Sequence, residues 1–154
     1  MFELYAVDPG KLSGVAIFHR GFLVEARLIE MSYLGDAPLM KEFEAVIEFP
    51  RVYPRSKTDP NDLLSVAAIA GAFAAGAGDY TFISPATWKG NVPPEVMLAR
   101  IIKRLEPSER KVIEGLDAFE AKLNEKLAQK KPIYAKLHNV IDAVGIGLWK
   151  LGRL

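Results

Sequence analysis

The chain has 154 residues and a mass of 17.0 kDa, a length that fits one domain with a single sizeable core. It contains no cysteine, which excludes disulfides, zinc–thiolate sites and cysteine nucleophiles. Its two histidines, His19 and His138, are too few for a histidine-rich metal site. The first residues lack the basic region of a signal peptide, and no apolar stretch reaches the ~20 residues of a membrane span. We therefore expect a cytoplasmic protein that does not interact with membranes.

The net charge of +1 hides an uneven distribution along the chain. Residues 1–83 carry a net charge of −4 and residues 84–136 a net charge of +4. This separation suits a protein whose acids bind divalent cations and whose basic surface binds phosphates. It is equally common on an ordinary solvated surface, so charge alone leaves both interpretations open.

The first third of the chain predicts strands. Hydrophobic alternation and two turn signals, Asp8-Pro9-Gly10 and Arg20-Gly21, predict a three-stranded antiparallel meander. A short irregular or helical piece and a buried strand follow. The three strands of the meander are Glu3–Asp8, Ser13–His19 and Phe22–Glu30. The irregular or helical piece is Asp36–Glu44, and the buried strand is Ala45–Phe49.

The rest of the chain alternates helices with one further strand. Asp59 is the expected N-cap, and Pro60 the first residue, of an alanine-rich helix that ends near Gly76. The later segments are a fifth strand at Tyr80–Ser84 and helices at Pro94–Leu105, Ser108–Lys130 and Ala135–Lys150. The pattern predicts one α/β domain spanning residues 1–154. Its mixed five-stranded sheet joins the meander to two further strands and is flanked by helices.

Two acidic residues stand at the ends of predicted strands. Asp8 ends the first strand, where Gly10 and Gly14 would let a ligand or metal approach the backbone, although Asp8 also suits a simple turn. Glu48 lies within the apolar run Ala45–Phe49, where a carboxylate is costly unless it is paired or bound to a cation. An edge-strand glutamate that faces water is the alternative.

A third acid, Asp142, lies in the apolar final helix. His138 and Asn139 precede it by four and three residues and therefore lie near its face of the helix. Carboxylates gathered in one place repel one another unless a cation neutralises them, and hard oxygen ligands select Mg²⁺ or Mn²⁺. Two such ions could activate water and stabilise the leaving oxygen in phosphodiester hydrolysis.

These features, in this order, resemble RuvC-type Holliday junction resolvases of the RNase H-like superfamily. The compact chain is most similar to phage or prophage members. The resemblance is carried by Asp-Pro-Gly at 8–10, Glu48, the Ala/Gly-rich helix with Asn61 and Ser65, Pro-x-x-Trp-Lys-Gly at 85–90, and His-Asn-x-x-Asp-Ala at 138–143.

The resemblance implies a homodimeric, metal-dependent endonuclease that cuts four-way DNA junctions in recombination and repair. It implies two Mg²⁺ or Mn²⁺ ions per active site and no nucleotide cofactor. Asp8, Glu48 and Asp142 match three of the family's four metal ligands, and His138 is our preferred fourth, with Asn139 as the alternative. Lys89 matches a catalytic lysine beside the scissile phosphate.

A basic loop follows Glu48. Arg51, Arg55 and Lys57 suit phosphate binding, and Tyr53 suits stacking on a base opened at a junction; solvated charge and a tyrosine that pins the loop are the alternatives. With Lys89, these residues form the expected DNA-binding surface. The amphipathic Ser108–Lys130 helix could cover the core, enlarge a dimer interface or form a DNA arm.

Three other functions compete with junction cleavage. A nuclease of the same fold could act on other branched DNA or on structured RNA. A nucleic-acid-binding module could have lost catalysis, although all three carboxylates are present. An actin-like ATPase also begins with Asp-x-Gly and a hairpin, but that fold needs two domains and a second phosphate loop.

Overall fold

The structure is a computed structural model that describes residues 3–154. Over these residues it contains one five-stranded sheet, six α-helices and a 3₁₀ helix at Leu34–Asp36. None of these helices is long and apolar enough to cross a membrane. The strands are β1 (Glu3–Asp8), β2 (Leu12–His19), β3 (Phe22–Glu30), β4 (Met40–Glu48) and β5 (Ala77–Ile83). The helices are α1 (Pro60–Gly76), α2 (Pro85–Lys89), α3 (Pro94–Lys103), α4 (Pro107–Arg110), α5 (Leu116–Gln129) and α6 (Leu137–Lys150).

The sheet has the strand order β3-β2-β1-β4-β5. The β1–β2 and β2–β3 pairs are antiparallel, whereas β1–β4 and β4–β5 are parallel. The predicted mixed sheet is therefore confirmed, and the meander is built from its first three strands. Because β1 and β4 are parallel neighbours, their carboxyl ends reach the same edge of the sheet.

Alternating side chains divide the core between the two faces of the sheet. Tyr5 and Val7 of β1 pack with Phe73 of α1 on one face. Leu4 and Ala6 of β1 belong to a larger cluster on the other face, which includes much of α6. Asp8 follows the even positions of β1 and so belongs to the α6 face.

The α6 helix approaches β2 so closely that their backbones touch. A Cβ atom added at Gly14 would lie 1.9 Å from the backbone oxygen of Asn139, which no side chain allows. Gly14 therefore serves helix packing, and our expectation that it admits a ligand or metal is wrong. A Cβ at Gly10 would make only an ordinary contact, so the structure gives no packing reason for glycine there.

A buried ion pair ties the C-terminal residues to the rest of the domain. Glu109 is 1% exposed and accepts hydrogen bonds from the backbone N–H groups of Leu23 and Glu106 at 2.8 and 2.9 Å. The Arg153 guanidinium meets both Glu109 carboxylate oxygens at 2.8 Å. Burial alone would raise the pKa of Glu109, but Arg153 and the backbone donors lower it overall.

The predicted continuous helix at Ser108–Lys130 is wrong. The chain instead forms α4, a series of turns and then α5. Gly115 has a φ of +76°, a left-handed conformation that a continuous right-handed helix cannot contain. The apolar spacing that suggested one long helix arises because the turns after α4 and the helix α5 bury their apolar residues in the same core.

The boundaries of two strands also differ from expectation. The irregular or helical piece predicted at Asp36–Glu44 is largely strand, because β4 begins at Met40. β5 begins at Ala77, immediately after α1, and Met40 pairs with Ala77 at the start of the ladder. Backbone pairing supplied by a distant segment thus extends both strands beyond what their local sequences predict.

Candidate functional site

Asp8 and Glu48 end two neighbouring parallel strands. Val7 and Ile47 are register partners, so the residues after them stand side by side where β1 and β4 end. Glu48 shares its face with Val46, which belongs to the cluster on the α6 side of the sheet. The sheet therefore brings both carboxylates to the same edge and the same face.

Asp142 faces this edge from α6, which packs on β1 and β2. The residue is 8% exposed. Sequence reasoning finds no local basic partner for it, and the structure supplies a distant one: Lys89 Nζ donates to Asp142 Oδ2 at 3.1 Å. A cation from α2 therefore lies against a carboxylate of α6.

Trp88, beside Lys89 on α2, holds the second carboxylate. Its indole N–H donates to Glu48 Oε2 at 2.6 Å, and its side chain is buried. A Cβ at Gly145 would lie 2.7 Å from the Trp88 ring, so this glycine leaves room for the indole against α6. Lys89 Nζ lies 4.7 Å from the centre of the same ring. α2 thus presents one neutral and one charged donor to two different acids.

The three carboxylates form one electrostatic unit. The pKa of Asp8 is raised well above its ordinary value by burial and by the charges of Asp142 and Glu48. Burial also raises the pKa of Glu48 and of Asp142, against the opposing effect of Lys89. The pKa of Lys89 is raised, because the neighbouring carboxylates outweigh the burial that would lower it. Lys89 is therefore a protonated counter-ion at neutral pH.

The donor set suits a hard divalent cation, but the present side-chain positions do not enclose one. Within residues 3–154, no three His, Cys, Asp or Glu side chains are grouped as a metal site. Two of the three carboxylates are instead engaged by the protein donors Lys89 and Trp88. The chemistry of the site fits Mg²⁺ or Mn²⁺, since buried carboxylate oxygens that repel one another gain from added positive charge.

His138 and Asn139, the two candidates for a fourth ligand, have different surroundings. Asn139 Nδ2 donates to the backbone oxygen of Leu12 at 3.1 Å, which engages its amide in fixing α6 on β2. His138 Nδ1 lies 2.8 Å from the backbone oxygen of Ala135. Both contacts are to backbone oxygens, and the preference for His138 over Asn139 as the fourth ligand stays a prediction.

The basic loop lies directly after Glu48, between β4 and α1. Arg51, Arg55 and Lys57 are exposed, and within residues 3–154 their side chains make no ion pair. Tyr53 is 47% exposed, and its backbone oxygen accepts the N–H of Ser56 in a turn. The loop therefore extends from the acidic edge and carries exposed positive charges that no ion pair within residues 3–154 neutralises.

Sequence reasoning missed the contribution of Trp88. The Pro-x-x-Trp-Lys-Gly segment at 85–90 carries part of the family resemblance, but the resemblance implies a role only for its lysine. A tryptophan next to a lysine in a short segment between strand and helix is a signal that could have been used. Its partner Glu48 lies 40 residues earlier in the chain, so only the tertiary structure identifies the hydrogen bond.

Comparisons with known proteins support the fold. No protein-family model matches this sequence, and no curated protein matches it. Among solved structures, the chain is similar to T. thermophilus RuvC in complex with a Holliday junction substrate. The TM-score is 0.52 with 12% identity, over 99% of this chain and 98% of that one. A second Thermus thermophilus RuvC structure gives a TM-score of 0.49 with 13% identity over the same shares. The fold is therefore RuvC-like, a member of the RNase H-like architecture.

We expect Asp8→Asn to stabilise the metal-free protein at neutral pH. Below the ordinary aspartate pKa of 3.8, Asp8 is protonated in both the folded and the unfolded chain, so its ionisation does not change the free energy of unfolding. As the pH rises toward the raised pKa of the folded state, the unfolded chain ionises first and folding becomes less favourable. Thermal melts in EDTA at about pH 7.5 should show a Tm about 3 °C higher for Asp8→Asn, with a smaller difference toward about pH 4.

The exposed Asp79 provides the matched control, and Asp79→Asn should leave the Tm near that of the parent. A lower Tm for Asp8→Asn at neutral pH would contradict the electrostatic description of the site.

Proposed function

We propose that this protein is a divalent-metal-dependent endonuclease that cuts four-way DNA junctions. The observation that carries the proposal is the meeting of Asp8, Glu48 and Asp142 around Lys89 on a RuvC-like fold. Each acid comes from a different element, and each is unfavourable where it stands unless positive charge compensates it. The solved RuvC structure of similar fold has a Holliday junction as its substrate.

Asp8, Glu48, Asp142 and His138 would hold two Mg²⁺ or Mn²⁺ ions. Such ions, when bound, would activate water and stabilise the oxygen that leaves the scissile phosphate. Trp88 would keep one oxygen of Glu48 fixed and leave the other available. Once metal charge compensates Asp142, Lys89 could turn its ammonium toward a phosphate oxygen and offset the charge that develops there.

DNA would reach this edge along the basic loop. Arg51, Arg55 and Lys57 would pair with backbone phosphates beside the acidic cluster. Tyr53, half-exposed in the same loop, would stack on a base opened at the junction. The first arginine of the loop lies three residues after Glu48, a proposed metal ligand, so phosphate contacts and chemistry would share one rigid strand end.

A homodimer would supply two such sites for symmetric cutting. The outer side of α1 supports this assembly, because the helix carries no charged residue from Leu63 to Gly76. Leu64 of this helix and the nearby Leu39 are 67% and 79% exposed. A two-fold axis through this surface would cover apolar side chains on both copies.

The purified protein should cut a labelled four-way junction in Mg²⁺ or Mn²⁺ and stop cutting in EDTA. Asp8→Asn should lower the cutting rate about 100-fold or more, because metal-assisted chemistry contributes several kcal/mol. Junction binding in EDTA should persist in this variant, since the substitution removes a negative charge from the site.

The assay should include flaps, forks, plain duplex and structured RNA. Preferential cutting of one of these would overturn the junction assignment. Binding without cutting in any metal would indicate a binding module that has lost catalysis.

His138→Ala and Asn139→Ala should separate catalysis from stability. His138→Ala should slow metal-dependent cutting with little change in Tm. Asn139→Ala should lower the Tm by roughly 2–4 °C, because it removes the hydrogen bond to the Leu12 oxygen, worth about 1 kcal/mol. If Asn139→Ala keeps its Tm but loses cutting, the fourth ligand moves to Asn139.

Trp88→Phe should raise the Mn²⁺ concentration needed for half-maximal cutting by about tenfold, while excess Mn²⁺ restores the rate. The physical reason is that phenylalanine keeps an aromatic ring but loses the N–H that orients Glu48. Trp149→Phe, on the half-buried second tryptophan, is the matched control and should behave as the parent. An unchanged Mn²⁺ requirement in Trp88→Phe would assign Trp88 to packing alone.

A further inference from the structure

We propose a second DNA-binding surface, a basic groove lined by Lys122, Lys126, Lys131, Pro132 and Tyr134. It would hold the sugar–phosphate backbone with its lysines and stack an unpaired base on Tyr134. The proposal rests on the proposed function and extends it to a part of the chain remote in sequence from the 51–57 loop. The groove encloses about 250 Å³ and is open to solvent.

Positive charge is concentrated in this part of the chain. Residues 122–136 contain five lysines and one glutamate, a net charge of +4, whereas the whole chain carries +1. Within residues 3–154, none of these lysine side chains makes an ion pair. By contrast, Arg110, the last residue of α4, is neutralised by Asp117 and Glu120 near the start of α5. The groove therefore carries uncompensated charge, which attracts polyanions.

The helix α5 places two of the groove lysines on one side. Lys122 and Lys126 lie four residues apart within the helix. Lys130 follows as the C-cap residue, where a φ of +53° turns the chain out of the helix toward Lys131. Leu123 is fully buried and Phe119 nearly so, and both point into the core. Residues four apart on a helix are spaced by about 6 Å, a distance suited to neighbouring phosphates.

The segment after α5 holds Tyr134 outward. Ile133 is buried in the main core, and its backbone N–H donates to Glu95 Oε1 at 3.2 Å. Pro132 restricts the backbone on the other side of Ile133. The chain is thus anchored at Ile133, while the next residue, Tyr134, is 84% exposed. An exposed aromatic ring on an anchored backbone beside lysines matches the stacking platforms of single-strand-binding surfaces.

The groove lies close to the acidic cluster along the chain. Tyr134 to His138 spans at most ~14 Å of extended chain, and one further helical turn of ~6 Å reaches Asp142. A distance of up to ~20 Å corresponds to about six nucleotides of a helical strand. DNA at the proposed cleavage site could therefore also occupy the groove.

Two other negatively charged partners, a membrane surface and an acidic protein segment, fit the groove less well. A helix that lies on a membrane turns its apolar side toward the lipid, but the apolar side of α5 is buried in the protein core. An acidic protein segment would satisfy the lysines but would leave the exposed flat ring of Tyr134 without a stacking partner. Nucleic acid uses both features.

The test measures binding by fluorescence anisotropy in EDTA, with a labelled four-way junction, a plain duplex and a single-stranded oligonucleotide. The variant Lys122→Gln with Lys131→Gln should weaken junction binding about tenfold and reduce the slope of log K against log salt by about 2. Tyr134→Ala should weaken single-strand binding about fivefold or more, whereas Tyr134→Phe should bind as the parent. Thermal melts should show that all variants fold, since the substituted side chains are exposed.

The control variant, Arg20→Asn with Lys111→Gln, removes two exposed charges outside the groove. It should leave the salt slope unchanged. An equal loss in this control, or an unchanged slope in the groove variant, would overturn the proposal. So would a groove variant that loses binding to phosphatidylserine vesicles or to an acidic peptide but keeps binding to DNA.

Failure of this inference and failure of the proposed function give different results. If the parent cuts junctions but the groove variants bind normally, only the groove is wrong. If the groove variants weaken DNA binding but the parent cuts nothing in any metal, the groove stands and the nuclease assignment fails.

Discussion

Three carboxylates in a half-buried site repel one another, and the Lys89 ammonium offsets that repulsion. Lys89 lies 3.1 Å from Asp142 and acts on Glu48 and Asp8 as well. Without it, ionised acids at the end of the sheet would oppose folding at neutral pH. The proposed binding of divalent cations rests on the same repulsion, because added positive charge would compensate the acids as the lysine does.

The elements around this site divide into rigid supports and exposed contacts. β1, β4 and α6 place the acids. α6 packs so closely against β2, and against Trp88 and Ile101, that Gly14 and Gly145 allow no larger residue without displacing a neighbour. The 51–57 loop and the segment before α6 carry exposed positive charge and an exposed tyrosine each. Rigid placement of the acids with exposed basic segments on adjoining connections suits chemistry on an extended polyanion.

A structural feature is predicted correctly from the sequence where the residues that determine it are close together in the chain. The first and third strands and the start of α1 are confirmed, since alternation, turn residues and the Asp59 cap act within a few positions. The Ser108–Lys130 helix is wrong because apolar spacing continues across Gly115, where the backbone turns. The start of β4 is wrong because its partner strand lies more than 30 residues later. The prediction that Gly14 admits a ligand is wrong because nothing nearby in sequence reveals that α6 packs against it.

The sequence by itself determined the strands and most of the helices, the mixed sheet, and the candidate acids Asp8, Glu48 and Asp142, because an acid within an apolar segment stands out locally. Only the tertiary structure decided how these acids are compensated. The partners are Lys89 and Trp88, which lie 53 and 40 residues from the acids they contact. It also decided that Ile133 is anchored while Tyr134 is exposed. Hydrogen bonds, charge interactions and burial depend on distances in space. For residues far apart in the chain, those distances are set only when the sheet and α6 pack together.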